Sequence, residues 1–157
     1  MRRLSMGSDV QNPGTGIGGM IRRIVVGFDG SKQAQRALIV AVNLAADLRA
    51  EVQVLLVVQP PAHTETPAQT AAAAEAEREN LSKGLEVIRR QAGGFSEITT
   101  HVLIADNPAR AIAEQVRLHA FDLVVVGSHG RERVMHGGIG HSVEELLNLE
   151  PCPVLVV

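Results

Sequence analysis

Residues 23–48 read RIVVGFDGSKQAQRALIVAVNLAADL, and two periodicities meet within them. Arg23–Gly27 is a short β-branched run that closes on a turn, the pattern of a strand buried on both faces. From Ser31, a residue type that caps helices, the apolar spacing changes. Ala34, Ala37, Leu38, Ala41, Leu44, Ala45 and Leu48 fall on one helical stripe. A buried strand passing straight into an amphipathic helix is the first half of a β–α–β unit. A second strand follows at Glu51–Val58 (EVQVLLVV).

The alternation continues to the end of the chain. Gln59–Pro67 holds three prolines and two threonines and reads as an exposed connection. A helix is predicted from about Ala68 to Ala92, with Leu81, Leu85 and Ile88 as its apolar ladder and Gly93-Gly94 as its stop. Ile98–Ile104 is the third strand. Pro108–His119 is the third helix, with Ile112 and Val116 facing inward, Asp106 or Asn107 as its cap and Pro108 in its first turn. Leu123–Val126 is the fourth strand. A glycine-rich loop runs from Gly127 to Gly140, a short helix from about Ser142 to Leu149, and Pro153–Val157 is the last strand. Strands joined through helices make an α/β fold, an open parallel sheet with right-handed crossovers and helices on both faces. Ligands of such sheets bind beyond the carboxyl ends of the strands. The loops that start at Gly27, Val58, Ile104 and Gly127 all lie on that edge.

Composition narrows the function. The 157 residues are 45% hydrophobic and 20% charged, a globular balance, and suffice for one core. Residues 1–20, rich in Gly, Ser, Asn and Pro, read as a disordered extension ahead of a single domain over 21–157. The net charge is −2, with two lysines and scattered arginines, which argues against a nucleic-acid face. Three phenylalanines are the whole aromatic complement, so base stacking on exposed rings is not expected. No apolar run is long enough for a membrane span, and the N-terminus lacks a signal-peptide core. The lone Cys152, between two prolines, fits a reducing, cytoplasmic setting and reads as a buried structural thiol.

Three segments could carry chemistry. Gly14-Thr-Gly16-Ile-Gly18-Gly19 matches a dinucleotide fingerprint but precedes the first strand, where the motif has no function, and reads as a flexible tail. Gly127-Ser-His-Gly130, nine residues and Gly140-His141-Ser142 lie instead between a buried strand and a helix N-terminus. Glycines there let backbone N–H groups reach phosphate oxygens, and the helix N-terminus adds donors and partial positive charge. No Walker lysine occurs, so phosphate charge falls to backbone amides, Mg²⁺ and Arg131 or Arg133. The competing reading is a mobile surface loop. The third segment is Asp29 at the end of the first strand, which can accept from a ribose or adenine group or can cap the first helix beside Ser31.

IVVGFDGS with its Ala/Leu-rich helix, and DLVVVGSHGRERVMHGGIG with PCPVLVV, together resemble the universal stress protein family over nearly all of residues 20–157. The resemblance implies a five-stranded parallel sheet of order 3-2-1-4-5, like the adenine nucleotide alpha hydrolases, dimerising through the last strand. It implies ATP, ADP or AMP as ligand, with any Mg²⁺ bound through the phosphates. On this chain it makes Asp29 the adenosine contact and Val58 the backbone partner of the adenine. Gly127, His129, Gly130 and Gly140 line phosphates and ribose, and Phe28 and Val126 flank the base. Gly27, His141, Ser142 and Val143 complete the set. The family's Ser or Thr after the last loop glycine is His141 here, with Ser142 one place later. Ser142-x-x-Glu145 satisfies a capping box, which starts the helix one residue late and leaves His141 at the phosphate position.

No paired carboxylates, Ser/His/Asp order or nucleophile elbow stands out, so catalysis is not expected. The S-G-G-x-D-S loop of the related hydrolases is absent. Six histidines without an H-x-x-x-H pairing do not make a metal site, although His129, His136 and His141 share one loop. The leading expectation is a dimeric, nucleotide-binding regulatory protein of the stress response. The alternative is a dimeric interaction module without a physiological nucleotide, which His141 favours.

Overall fold

The computed structural model describes residues 21–59, 66–91, 98–130 and 138–157. Strands β1 (Arg23–Phe28), β2 (Glu51–Val58), β3 (Ile98–Ile104), β4 (Leu123–Val126) and β5 (Val154–Val156) form one parallel sheet in the order β3-β2-β1-β4-β5. Helices α1 (Lys32–Leu48), α2 (Pro67–Gln91), α3 (Pro108–His119) and α4 (His141–Leu149) make the connections. The element order and strand order are those expected. Only ends move: β1 continues through Phe28, α2 begins at Pro67, and β5 is confined to three residues. The N-terminal extension with its glycine fingerprint, most of the proline-rich connection and the Gly93-Gly94 stop lie outside the described residues.

Two apolar cores, one on each face of the sheet, explain why the central strands β1 and β4 read as apolar runs. Successive strand residues point to opposite faces. Ile24, Val26 and Phe28 of β1 meet α1 and the Leu81, Leu85 and Ile88 ladder of α2 on one face. Val25 and Val124 meet Ala109, Ile112, Ala113 and Val116 of α3 and Val143 and Leu146 of α4 on the other. Fully buried side chains such as Ile24, Leu38, Leu55 and Leu56 each contribute about 2 kcal/mol of apolar transfer.

Local signals set the helix ends. The Ser31 hydroxyl oxygen accepts from the Ala34 amide at 3.1 Å and starts α1. Its buried alanines, Ala34, Ala37, Ala41 and Ala45, recur every four or fewer residues and let the helix lie close on the sheet. Asn107, not Asp106, caps α3, its side-chain oxygen accepting from the Arg110 amide at 3.0 Å, with Pro108 in the first turn.

At the amino edge of the sheet, Asp122 ties β4 to β1. Its Oδ2 accepts from the Arg22 and Arg23 amides at 2.8 and 2.9 Å, while its own amide donates to the Arg23 carbonyl at 2.9 Å. The Arg23 guanidinium lies 5.0 Å from the centre of the Phe121 ring and donates to the His119 carbonyl. Asp122→Ala leaves the two strand-entry amides without their acceptor and is expected to cost about 1 kcal/mol, read as a lower urea midpoint at unchanged slope. An unmoved midpoint refutes this role. Among the described residues no helix is long and apolar enough to cross a membrane.

Candidate functional site

The order β3-β2-β1-β4-β5 puts the reversal of strand order between β1 and β4. The chain leaves β1 into a helix on one face and reaches α4, on the other face, from β4, so the two loops part at the carboxyl edge, the position at which sheets of this kind form a ligand crevice. Asp29-Gly30-Ser31 borders that crevice on one side and Gly127–Gly130 on the other. Asp29 Oδ1 accepts from the Ser31 amide at 2.9 Å, holding the carboxylate over the turn into α1. Its Oδ2 lies 2.6 Å from where a Cβ on Gly130 would stand. The two segments named from the sequence therefore touch, through a glycine that no larger residue can replace without moving Asp29.

Both ends of the glycine-rich loop are stapled. The Ser128 amide donates to the Val157 carbonyl at 2.8 Å, and the Ser128 carbonyl accepts from the Gly140 amide, also at 2.8 Å. Gly140 faces the backbone of His129, whose Cα is 3.3 Å from a Cβ built on the glycine. Gly127 meets α1: its Cβ position lies 2.7 Å from the Gln33 carbonyl carbon and 2.9 Å from the Ala34 nitrogen. The amides of His129, Gly130, His141 and Ser142 have no acceptor among the described residues. His129 Nδ1 is buried and also lacks a partner. A buried polar atom without a hydrogen bond costs about 1–3 kcal/mol, so this nitrogen is poised for a ligand group.

Other expected site residues take structural positions. Gly27 lies beneath the crevice, its Cβ position 3.0 Å from Ile112 and from Val126. Phe28 and Val126, expected to flank the base, are both buried and belong to the cores on opposite faces of the sheet. The Val58 carbonyl, expected to serve an adenine, accepts from the Ala105 amide at 3.1 Å and keeps one lone pair. Val143 is buried under α4, whereas His141 and Ser142 are exposed. Arg131, Arg133 and His136 lie outside the described residues.

The expected capping box is not formed. Helix α4 starts at His141, with Gly140 as its N-cap and no side-chain cap bond, so Ser142 lies inside the first turn. Glu145 is engaged elsewhere. Both its carboxylate oxygens accept from the Asn107 side-chain amide, at 3.0 and 2.9 Å, and Oε1 also accepts from Arg110 Nε at 3.1 Å. These bonds, Asn107 first and Arg110 second, hold the Glu145 carboxyl below the usual carboxylate range, and the nearby His141 acts in the same direction. No local pattern signals this pairing, because Asn107 and Glu145 are 38 residues apart. Cys152 is half-buried rather than buried, and burial pushes its thiol up, consistent with an unreactive group. Among the described residues no three His, Cys, Asp or Glu side chains form a metal-binding group.

A family model described as the universal stress protein family matches residues 20–157. Universal stress protein YxiE of Bacillus subtilis is 28% identical over 151 residues, covering 88% of this chain and 99% of that one. The structure of universal stress protein UspA from Lactobacillus plantarum superposes with a TM-score of 0.74 at 25% identity, covering 87% of this chain and 97% of the other. The universal stress protein from Archaeoglobus fulgidus, solved in complex with dAMP, shares the fold with a TM-score of 0.62 at 22% identity, over 87% and 98% of the two chains.

Proposed function

This chain belongs to the universal stress protein family, and from that premise we propose that it is a regulatory protein that binds an adenine nucleotide in the crevice between the β1 and β4 loops. One observation carries the reading: the contact between Asp29 and Gly130 joins the adenosine-side carboxylate to the phosphate-side loop at the strand-order reversal. The amides of His129, Gly130, His141 and Ser142, without an acceptor among the described residues, supply anion donors, and α4 adds its N-terminal partial charge. His129 Nδ1 offers one further partner to a ribose hydroxyl or a phosphate. The fold relative that holds dAMP supports the ligand class. AMP, ADP and ATP all present the same adenosine monophosphate part to these groups, and Mg²⁺ enters only through additional phosphates. The ligand acts by occupancy rather than turnover, in the cytoplasm. Two copies pair through the apolar edge strand β5, which has β4 on one side and no strand on the other among the described residues.

His141 favours a second reading, an interaction module without nucleotide. Its imidazole replaces the hydroxyl found there in the family's binding members and is exposed at the helix start. Native mass spectrometry of freshly purified protein decides between the two and reads the assembly at once. A dimer that carries, or takes up on titration, one AMP, ADP or ATP per subunit is the expected result. A protein that stays empty at millimolar nucleotide overturns the first reading and leaves the second. A monomer at micromolar concentration removes the β5 interface.

A further inference from the structure

We infer that Glu145 is a positioning residue: held by Asn107 and Arg110 of α3, it fixes the first turn of α4 and so places the His141 and Ser142 amides for the ligand's anionic group. This deepens, and rests on, the nucleotide reading above. A nine-residue helix has little stability of its own, and α4 begins on a glycine without a side-chain cap. Its placement therefore depends on tertiary ties. Val143 and Leu146 bury its underside, and at its far end Arg117 Nη2 donates to the Leu149 carbonyl at 3.1 Å. Near the ligand edge the Glu145 carboxylate provides the polar tie.

Asn107 divides its side chain between two helices. The oxygen caps α3 through the Arg110 amide, and the nitrogen donates to Glu145 on α4. The start of α3 and the second turn of α4, directly below its N-terminus, are thus joined through one planar group with few alternative rotamers. The charged groups that act on Glu145 are Arg110, from α3, and His141, one turn earlier on α4. Arg110 is three-quarters exposed while the Glu145 side chain is 23% exposed, so the Asn107 bonds are the more sheltered part of the clamp. A shift of α4 by even 1 Å moves the His141 and Ser142 donors out of hydrogen-bonding range of a bound phosphate.

The test uses full-length protein and exchanges the two functional groups. Asn107→Asp keeps the oxygen that caps α3 but sets a carboxylate against Glu145. Asn107→Asp with Glu145→Gln restores one amide and one carboxylate with their roles reversed. AMP and adenosine are titrated by calorimetry at pH 7, and amide hydrogen exchange in α4 is followed without ligand. Asn107→Asp is expected to weaken AMP about tenfold, the worth of one charge-assisted hydrogen bond, and adenosine less than about twofold. Exchange in α4 quickens, and the paired substitution restores both readouts. The inference is overturned if AMP affinity and α4 exchange stay at wild-type values, or if AMP and adenosine weaken together, as general loosening would make them. If wild-type protein binds neither, the nucleotide reading fails, and exchange in α4 with its rescue alone decides the clamp.

Discussion

Gly127→Ala is expected to lower the melting temperature by about 6 °C. A Cβ at this position stands 2.7 Å from both the carbonyl carbon and the Cβ of Gln33 and 2.9 Å from the Ala34 nitrogen. Two of the three atoms are backbone of the first turn of α1, which the Ser31 cap and the buried Ala34 and Ala37 hold in place. The helix cannot rotate a side chain aside; it has to move, and overpacking of this kind costs about 1–3 kcal/mol. For a domain of this size about 2 kcal/mol corresponds to about 4–8 °C. Gly84→Ala is the matched contrast. Gly84 lies within α2 with nothing within 4 Å of its Cβ position, and the same methyl there should stabilise by about 0.5–1 kcal/mol through helix propensity. Differential scanning calorimetry on both variants reads the opposite signs. A Gly127→Ala protein that melts with wild type shows that the loop does not approach α1 so closely.

That result bears on how much of the molecule was legible beforehand. Strands announced themselves because a sheet covered on both faces needs apolar residues at every position, and RIVVGF, EVQVLLVV and LVVV leave little room for another reading. Helices α1 and α3 were fixed at their starts by Ser31 and Asn107, whose capping is a local, short-range interaction. Their ends were less visible. Arg49, Ala120 and Glu150 close α1, α3 and α4 with positive φ, a conformation that usually marks itself with glycine. Here each closing amide donates back into its own helix, to the Ala45, Val116 and Leu147 carbonyls, and no residue type advertises it.

The site was legible in its position and less so in its chemistry. Strand order placed the crevice, and Asp29 and Gly130 were named on the two sides that prove to touch. The glycines also answer to packing that their spacing does not show. Gly127 and Gly27 are small because neighbouring helix and strand atoms crowd them, and only Gly130 is small because a carboxylate needs the room. At α4 the local rule lost to a distant one. Ser142 and Glu145 have capping-box spacing, but a box needs a free glutamate, and Asn107 and Arg110 offer Glu145 three hydrogen bonds from another helix. A pattern over four residues cannot register a competitor 38 positions away.

Gly130→Ala separates binding from stability at the position where the crevice closes. The added Cβ would stand 2.6 Å from Asp29 Oδ2, and the carboxylate, as the end of a side chain, swings away where the helix backbone at Gly127 cannot. Gly130 is exposed, so the fold loses little, within about 0.5 kcal/mol. The carboxylate also leaves the Ser31 amide that aims it. AMP affinity is expected to fall about tenfold or more, the loss of one charge-assisted contact. Asp29→Ala alone should cost a similar factor. Because both substitutions act through one carboxylate, the double variant should bind no more weakly than Asp29→Ala, a coupling that residues acting separately do not show. Calorimetric titration of the four proteins closes the cycle. Strictly additive losses would separate Gly130 from Asp29 and mean that each side of the crevice acts on the nucleotide independently of the other.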